Sequence, residues 1–227
     1  MTGKLYGVGV GPGDPELLTL KAVRIIKENE IIALPGAVAK DTVAYQIAVQ
    51  AVPELKEKEL VSLAMPMTKD KKMLESNYAQ AADTIEAYLR AGKNVVFLTL
   101  GDPTIYATYF YLHERILKRG LEAEMISGIP SFCAVAARLD MSLAERAEEL
   151  HIIPASYQIK EALALPGTKV LMKAGKNMSA VKAQLQTSGA AAVMIENCGR
   201  PGERIYQTAA EIPDQAGYYS LVIVKEK

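Results

Sequence analysis

Three short turns combine glycine and proline with an acidic or hydroxyl side chain, and each lies where a ligand could bind. They are Gly-Pro-Gly-Asp-Pro at 11–15, Gly-Asp-Pro at 101–103 and Ser-Gly-Ile-Pro-Ser at 127–131. Each turn follows a short apolar run and precedes a helical pattern. Because ligands collect at the carboxyl ends of parallel strands, the first two turns predict the sides of one cleft. The third offers hydroxyl groups and backbone amides at a helix start, for which simple capping is the alternative.

The first turn does not fit a dinucleotide site. A G-x-G-x-x-G pattern that starts at Gly7 or Gly9 would need glycine where the chain has Pro12 or Asp14. The prolines also remove backbone N–H donors, and Asp14 places a negative charge where a phosphate would lie. We therefore exclude a polyphosphate ligand, and a tight turn that needs glycine dihedral angles is the alternative interpretation.

The composition is typical of a globular protein and carries no net charge that would indicate a charged partner. The 227 residues include 26 basic and 26 acidic side chains. Nucleic acids and anionic membranes require a basic face, so we expect neither as a partner. Cys133 and Cys198 lie far apart, which argues against a disulfide framework. With no leader pattern and no long apolar run, we predict a cytoplasmic protein.

Short β-branched runs alternate with longer segments of helical period, which predicts two α/β domains with mixed, mostly parallel sheets. Strands are predicted at 5–9, 31–34, 60–63, 94–100, 122–126, 150–153, 169–173, 191–195 and 218–224. Helices are predicted at 15–28, 41–52, 69–91, 104–118, 130–139 and 178–187. We predict a boundary near residue 118, with an N-terminal domain over 1–118 and a C-terminal domain over 119–227.

The three turns, in this order, resemble those of the tetrapyrrole (corrin/porphyrin) methylases, and the resemblance covers the whole chain. Within that family, longer stretches look like the branch that methylates C-20 of precorrin-2: MPMT at 65–68, TLGDPTIY at 99–106 and PSFCA at 130–134. The resemblance implies a homodimer that binds S-adenosylmethionine in the cleft between its two α/β domains. It also implies methylation of cobalt-precorrin-2 or precorrin-2 in cobalamin biosynthesis.

The resemblance, carried over position by position, implies cofactor contacts in both domains. The expected contacts are Leu100, Gly101, Asp102, Ile105, Ser131, Phe132, Met172, Asn197, Ser220 and Leu221. The backbone at Gly101 suits a zwitterionic amino-acid group. The carboxylate of Asp102 or Asp14 would attract the sulfonium by Coulomb interaction.

The implied reaction needs no side chain to activate the nucleophile, because a meso carbon of a reduced tetrapyrrole is already an enamine-like nucleophile. Positioning then supplies most of the catalysis. The catalytic candidates are Asp14 and Tyr106, which with water are possible acceptors of the C-20 proton, and Asp102 beside the sulfonium. His113 lies within a helical pattern and His151 within a strand, so we expect structural roles for both.

The implied substrate carries acetate and propionate carboxylates around an apolar macrocycle. Basic residues that follow predicted elements of the second domain are candidates for the carboxylates: Arg138, Lys173, Lys176 and Arg200. Pro12, Met65 and Met67 are candidates for the macrocycle face, with core packing as the alternative for the methionines.

Two other functions stay open, and no protein-bound metal is expected. Cobalt would arrive inside the substrate, and the chain has no His, Cys or carboxylate cluster at ligand spacing. The uroporphyrinogen branch of the family has Ala-Asp-x-Val and Tyr-Asp where this chain has ENEI at 28–31 and LPG at 34–36, which favours C-20 methylation. A tetrapyrrole-binding module without turnover is the second alternative.

Overall fold

The computed structural model describes residues 1–66, 68, 70–155 and 159–226, with the Lys176 side chain outside the described part. The chain divides into two compact units, Met1–Pro130 and Ser131–Lys227. Each unit contains one five-stranded sheet. Each therefore has its own core, built on its own sheet.

The strands of the first unit lie in the order β3-β2-β4-β1-β5. Their bounds are β1 Lys4–Gly9, β2 Ile31–Pro35, β3 Glu59–Leu63, β4 Val95–Thr99 and β5 Glu122–Ile126. All of their pairings are parallel, and Val8 of β1 lies opposite Leu98 on one side and Ile126 on the other. The loops that follow β1, β4 and β5 therefore leave the sheet on the same side, at the carboxyl ends of the strands. We call this side the strand-end edge of the sheet.

Helices cover both faces of this sheet, so its central strands are apolar on both faces. Every residue of β4 is buried. Val95 and Phe97 belong to one core cluster, whereas Val96 and Leu98 belong to the other. A continuous apolar run is what a parallel strand covered on both faces requires.

The first unit contains four α-helices: α1 Leu20–Glu28, α2 Val43–Ala51, α3 Lys71–Arg90 and α4 Tyr109–Lys118. Short 3-10 segments occupy Pro15–Leu17, Ala39–Asp41 and Pro53–Glu57. Side-chain oxygens of Thr19, Thr42 and Asp70 accept backbone N–H bonds from the first turns of α1, α2 and α3. These caps satisfy amides that the helices leave unpaired.

The second unit contains a sheet of mixed direction in the order β6-β7-β10-β8-β9. Its strands are β6 Leu150–Pro154, β7 Thr168–Met172, β8 Ala191–Glu196, β9 Arg204–Tyr206 and β10 Ser220–Lys225, and its helices are α5 Ser131–Arg138, α6 Ile159–Leu163 and α7 Met178–Ser188. Leu171, Met194 and Val222 are fully buried between this sheet and α7. Across the described ranges of both units, no helix is long and apolar enough to cross a membrane.

The predicted class of two α/β domains is confirmed, with a difference in the second sheet. Only β6 and β7 are parallel there, whereas β10 runs antiparallel to β7 and β8, and β9 antiparallel to β8. A parallel neighbour requires a long crossover connection, usually a helix. No helix lies between β8 and β9 or between β9 and β10, so these strands return antiparallel.

The division between the units lies after Pro130 rather than near residue 118. Strand β5, which the sequence placed at the start of the second domain, pairs with β1 along its whole length. The sheet edge beside β1 can accept one more parallel strand after the α4 crossover. The order of strands in space, which the sequence pattern does not display, thus decides the boundary.

Two predicted helices begin later than expected, and two short elements were not predicted. The segment 15–28 breaks at Thr19, whose ψ of 149° is extended. Helix α4 begins at Tyr109 instead of residue 104, because Tyr106 has a φ of 49° that no right-handed helix contains. The elements without a prediction are α6 and β9, each of five residues or fewer.

Candidate functional site

Glycines bring the loops after β1, β4 and β5 into direct backbone contact. Gly101 N donates to Gly11 O at 2.8 Å, and Gly11 N donates to Gly101 O at 3.3 Å. A Cβ added to Gly128 would lie 2.2 Å from Gly101 O, and one added to Gly9 would lie 2.5 Å from the same oxygen. Side chains are thereby excluded at both positions. We call these three loops the glycine platform: residues 10–14, 100–104 and 127–130.

The carboxylate of Asp102 joins the second loop of the glycine platform to the third. Asp102 is 4% exposed. Its Oδ1 accepts the backbone N–H of Thr104 at 2.8 Å and the Thr104 hydroxyl. Its Oδ2 accepts the Ser127 hydroxyl and, at 2.9 Å, the backbone N–H of Gly128. A carboxylate has about four lone-pair sites, so these four donors occupy all of them.

The same contacts keep Asp102 ionised. Burial alone would raise the pKa of this carboxyl group, but the hydrogen bonds from Ser127, Thr104 and Gly128 outweigh burial. The pKa of Asp102 therefore lies below its ordinary value. The hydrogen bonds of this ionised carboxylate therefore hold the second and third loops of the glycine platform together.

Gly101 has room beside its Cα, in contrast to Gly9 and Gly128. Its φ is 69°, and an added Cβ would lie 3.9 Å from Ile129 O, which is ordinary van der Waals contact. The residue is nevertheless buried, so this room lies inside the structure. The other predicted contacts on the same loop, Leu100 and Ile105, are half-buried.

The structure brings two further predicted residues to the same sheet edge. Asp14 follows β1 and caps the 3-10 segment Pro15–Leu17, with Oδ1 accepting Glu16 N at 2.8 Å. Pro12 lies in the same turn and is buried. Tyr106 lies on the loop after β4 and is 46% exposed.

The predicted methionines do not join this group in the described structure. Met65 follows β3, the edge strand farthest from β5, and packs against the core cluster that contains Phe97 and Tyr109. This position favours the core-packing alternative for Met65. Met67 lies outside the described residues.

In the second unit, the predicted cofactor residues gather at one edge of the sheet. Met172 ends β7 and lies opposite Leu221, the second residue of β10. Ser220 begins β10 and lies opposite Glu196, the last residue of β8. Ser220 and Leu221 are 3% and 5% exposed. The antiparallel course of β10 thus places its beginning beside the ends of its neighbours.

The loop after β8, residues 197–203, adds two predicted residues to this edge. Asn197 has a φ of 54°, and its backbone N–H donates to Tyr219 O at 3.0 Å. The guanidinium carbon of Arg200 lies 4.4 Å from the centroid of the Tyr219 ring, a cation–π contact. Tyr219 immediately precedes β10, so the loop and the strand are joined twice.

The remaining second-unit candidates have different surroundings. Ser131 and Phe132 begin α5, which packs against β10, and Phe132 is 7% exposed. Arg138 forms an ion pair with Glu203, with Nε and Oε1 2.9 Å apart. Burial lowers the pKa of Lys173, which follows Met172. The side chain of Lys176 lies outside the described part.

Gly9 and Tyr219 were given no role from the sequence, and Ser127 was predicted only to offer a hydroxyl group at a helix start. Ser127 lies 25 positions from Asp102, and the two meet only because β1 holds β4 and β5 at one edge. The signal available in the sequence was positional, since Ser127 directly follows a predicted strand. Tyr219 was predicted to lie within the last strand, so the sequence did not indicate a contact with the loop after β8.

Each histidine lies close to one other polar side chain. His113 Nδ1 lies 3.0 Å from the hydroxyl of Tyr109 within α4. His151 Nε2 lies 3.1 Å from Glu149 Oε2 beside β6. Within residues 1–66, 68, 70–155 and 159–226, no group of three or more His, Cys, Asp and Glu side chains is placed to hold a metal ion.

Comparison with known proteins identifies a family. Residues 4–213 match the family described as Tetrapyrrole (Corrin/Porphyrin) Methylases. The chain is 32% identical over 237 residues to the cobalt-precorrin-2 C(20)-methyltransferase of Salmonella typhimurium, covering 100% of this chain and 98% of that protein. It is also 32% identical over 236 residues to the cobalamin biosynthesis protein CobIJ of Mycobacterium tuberculosis, covering 98% of this chain. The chain spans 46% of the length of CobIJ.

A solved structure shares the fold. The uroporphyrin-III C-methyltransferase of Thermus thermophilus, complexed with S-adenosylhomocysteine, superimposes with a TM-score of 0.70 at 23% identity. The match covers 99% of this chain and 98% of the other. At this identity the similarity establishes the fold alone.

Proposed function

We propose, on the premise that the chain belongs to the tetrapyrrole (corrin/porphyrin) methylase family, that it transfers a methyl group from S-adenosylmethionine to C-20 of cobalt-precorrin-2 or precorrin-2. This reaction belongs to cobalamin biosynthesis. The observation that carries the proposal is the end-to-end similarity to a C(20)-methyltransferase, at 32% identity over 237 residues. The motifs at 99–106 and 130–134 point to the same branch.

The described residues fit the cofactor. S-adenosylmethionine supplies, when bound, a methyl group activated by its sulfonium. The room beside the Gly101 Cα suits the close approach of its amino-acid group, because even an added Cβ there would lie 3.9 Å from Ile129 O. In the second unit, Met172 and Leu221 offer apolar contacts at the sheet edge. Apart from Asp102, whose lone-pair sites are occupied, we keep the predicted residues as proposed contacts: Leu100, Gly101, Ile105, Ser131, Phe132, Met172, Asn197, Ser220 and Leu221.

The role we propose for Asp102 is to position the glycine platform. Its four lone-pair sites are occupied, so it holds Gly101 and Gly128 at fixed places. For the C-20 proton, Asp14 is the better placed carboxylate, since a single cap bond to Oδ1 is the only described hydrogen bond of its side chain. Tyr106 and water remain the alternative acceptors. A meso carbon that is already nucleophilic needs orientation more than a strong base.

Methyl transfer tests the proposal directly. The protein is incubated anaerobically with cobalt-precorrin-2, precorrin-2 or uroporphyrinogen III and with S-adenosylmethionine labelled with ¹³C at the methyl carbon. We expect NMR to locate the label at C-20 of a precorrin-2 substrate. Label only on uroporphyrinogen would assign the chain to the sibling branch. Absence of S-adenosylhomocysteine with all three substrates would support a binding module without turnover.

Between the two precorrin-2 substrates, we propose the cobalt form. The support is the resemblance of residues 65–111 to the branch of the family that inserts cobalt early, and the similarity to the cobalt-precorrin-2 C(20)-methyltransferase of Salmonella typhimurium. In this proposal cobalt enters as part of the substrate. We expect a higher kcat/KM with cobalt-precorrin-2 than with precorrin-2 in parallel anaerobic assays. A clear preference for the metal-free compound would reverse this part of the proposal.

We also propose a homodimer in the cytoplasm. Large apolar side chains on α3 and α4 are exposed, which supports self-association: Met73, Phe110, Tyr111 and Leu117. Cys133 and Cys198 form no disulfide in the described structure, which is typical of proteins in reducing compartments. Analytical ultracentrifugation of the purified chain should give twice the monomer mass of 24.6 kDa. A monomer at assay concentrations would contradict the dimer.

A further inference from the structure

Arg200 carries a charge that the described protein leaves without a counter-ion. Its Nη1 is buried and has no hydrogen-bond partner. The guanidinium has no ion pair or hydrogen bond within the described ranges, and its described contact is the Tyr219 ring at 4.4 Å. A buried donor without an acceptor costs free energy unless something else satisfies it.

The carboxylates nearest in sequence are engaged elsewhere. Glu196 Oε1 accepts the backbone N–H of Gly217 at 2.6 Å. Glu203 accepts Gly199 N at 2.8 Å through Oε2 and pairs with Arg138 at 2.9 Å through Oε1. The two acidic side chains that flank the 197–203 loop thus satisfy other donors and leave Arg200 unpaired.

The loop also holds the Arg200 backbone in a defined place. Arg200 N donates to Asn197 O at 2.9 Å, and Glu203 N donates to Arg200 O at 3.1 Å. The guanidinium carbon lies over the aromatic ring of Tyr219. A planar guanidinium fixed in this way matches a carboxylate, which it can bind through two parallel hydrogen bonds.

We propose that Arg200, supported by Tyr219, is a receptor for a ligand carboxylate. The proposal rests on the proposed function, in which both ligands carry this group: the tetrapyrrole at its acetate and propionate chains, and the cofactor at its amino-acid end. Arg200 lies at the sheet edge that also holds Ser220 and Met172, two proposed cofactor contacts. The structure therefore assigns the chemistry of the contact, and experiment distinguishes its source.

The test compares wild type with Arg200→Gln and Arg200→Lys. Calorimetry measures the Kd of S-adenosylhomocysteine and of 5′-methylthioadenosine, which lacks the amino-acid carboxylate, and fluorescence measures the Kd of uroporphyrin, a porphyrin octacarboxylate. We expect Arg200→Gln to raise one carboxylate-dependent Kd by about tenfold or more, the scale of a lost charge-assisted contact. Arg200→Lys should restore only part of the affinity, because lysine keeps the positive charge but cannot donate the two parallel hydrogen bonds of a guanidinium.

The pattern of affinities identifies the carboxylate. A weaker S-adenosylhomocysteine complex with unchanged 5′-methylthioadenosine binding assigns the receptor to the cofactor. A weaker uroporphyrin complex with unchanged S-adenosylhomocysteine binding assigns it to the tetrapyrrole. Arg204→Gln is the matched control, because Arg204 is an exposed arginine on β9 whose loss changes the net charge equally. Its Kd values should stay within about twofold of wild type.

The receptor and the proposed function fail in different ways. Wild-type protein that binds neither carboxylate probe, or a folded Arg200→Gln variant that binds both as wild type does, overturns the receptor. Circular dichroism and thermal melting establish that the variants are folded. Wild-type protein that transfers no methyl group to any of the three tetrapyrroles overturns the proposed function, whatever the binding data show.

Discussion

Asp102 and Arg200 are charged side chains in the loops that follow strands of the first and the second unit, and their charges are satisfied differently. In the first unit, Asp102 accepts four hydrogen bonds from three residues of the glycine platform. In the second unit, Arg200 contacts a ring and keeps a buried N–H without a partner. A satisfied charge fixes the backbone around it, whereas an unsatisfied one is available to a ligand. A charged side chain after a strand thus fixes the loops of the first unit, whereas in the second unit we propose that it binds a ligand carboxylate.

The largest effect we predict comes from filling the glycine platform. Gly128→Ala would place a Cβ 2.2 Å from Gly101 O and 2.8 Å from Gly9 C, both backbone atoms that cannot move aside. We expect the free energy of unfolding of the first unit to fall by about 3 kcal/mol, at the upper end of overpacking costs. Urea denaturation measures the loss, and hydrogen exchange over β5 locates it.

Gly120→Ala serves as the control for introducing a methyl group. Gly120 has a φ of 73° and no atom within 4 Å of an added Cβ. Its alanine variant should lose only about 1 kcal/mol, the cost of a left-handed conformation. Equal losses in the two variants would contradict close packing of the platform.

A smaller effect should follow from weakening the Asp102 contacts. Asp102→Asn turns one acceptor oxygen into a donor that faces either Gly128 N–H and the Ser127 hydroxyl, or Thr104. We expect a loss of about 2 kcal/mol in the free energy of unfolding, because a buried donor loses its acceptor. If the role is positioning, the Kd of S-adenosylhomocysteine rises while kcat at saturating cofactor stays within about tenfold of wild type.

Asp14→Asn is the stability control for this exchange, because asparagine caps helices about as well as aspartate does. Its free energy of unfolding should change by less than about 0.5 kcal/mol. If Asp102→Asn instead unfolds like wild type and loses turnover at saturating cofactor, Asp102 is catalytic. That result would remove the contrast with Arg200.

The sequence predicts where the strand-end loops lie and leaves their mutual contacts open. Local patterns are enough to place Asp14 and Asp102 directly after strands, since apolar runs and turn residues mark each strand end. The bond between Ser127 and Asp102 depends on β1 lying between β4 and β5, and that order is a property of the assembled sheet. The pairing of Arg200 with Tyr219 likewise depends on β10 returning beside β8. Tertiary arrangement, rather than propensity, decided both.

The free energy of unfolding should depend on pH in the acid range through Asp102. The pKa of Asp102 is lowered from an ordinary value of 3.8, so its contribution to stability is fully present above that value. The contribution is lost as the pH falls below 3.8 toward the lower folded pKa. We expect unfolding free energies measured from pH 6 to pH 2 to fall less steeply for Asp102→Asn than for wild type.

Arg200→Gln should keep the wild-type acid slope, because Arg200 makes none of the hydrogen bonds to the Asp102 carboxylate. An unchanged slope for Asp102→Asn would mean that its carboxyl group titrates alike in the folded and unfolded chains. The hydrogen bonds assigned to it would then contribute no net preference for the ionised form. The comparison therefore tests the Asp102 contacts without an activity assay.

The smallest effects should come from the histidines, because neither lies at a strand-end edge that carries proposed ligand contacts. His151 is the second residue of β6, three residues before the end of that strand at Pro154. His113 lies within α4, beside Tyr109. His113→Ala and His151→Ala should each keep turnover within about tenfold of wild type, which corresponds to less than about 1.4 kcal/mol of transition-state stabilisation. Steady-state assays with cobalt-precorrin-2 measure this, with thermal melting to confirm that each variant is folded. A folded variant that loses more would place proton transfer on a histidine and move the chemistry away from the strand-end loops of both units.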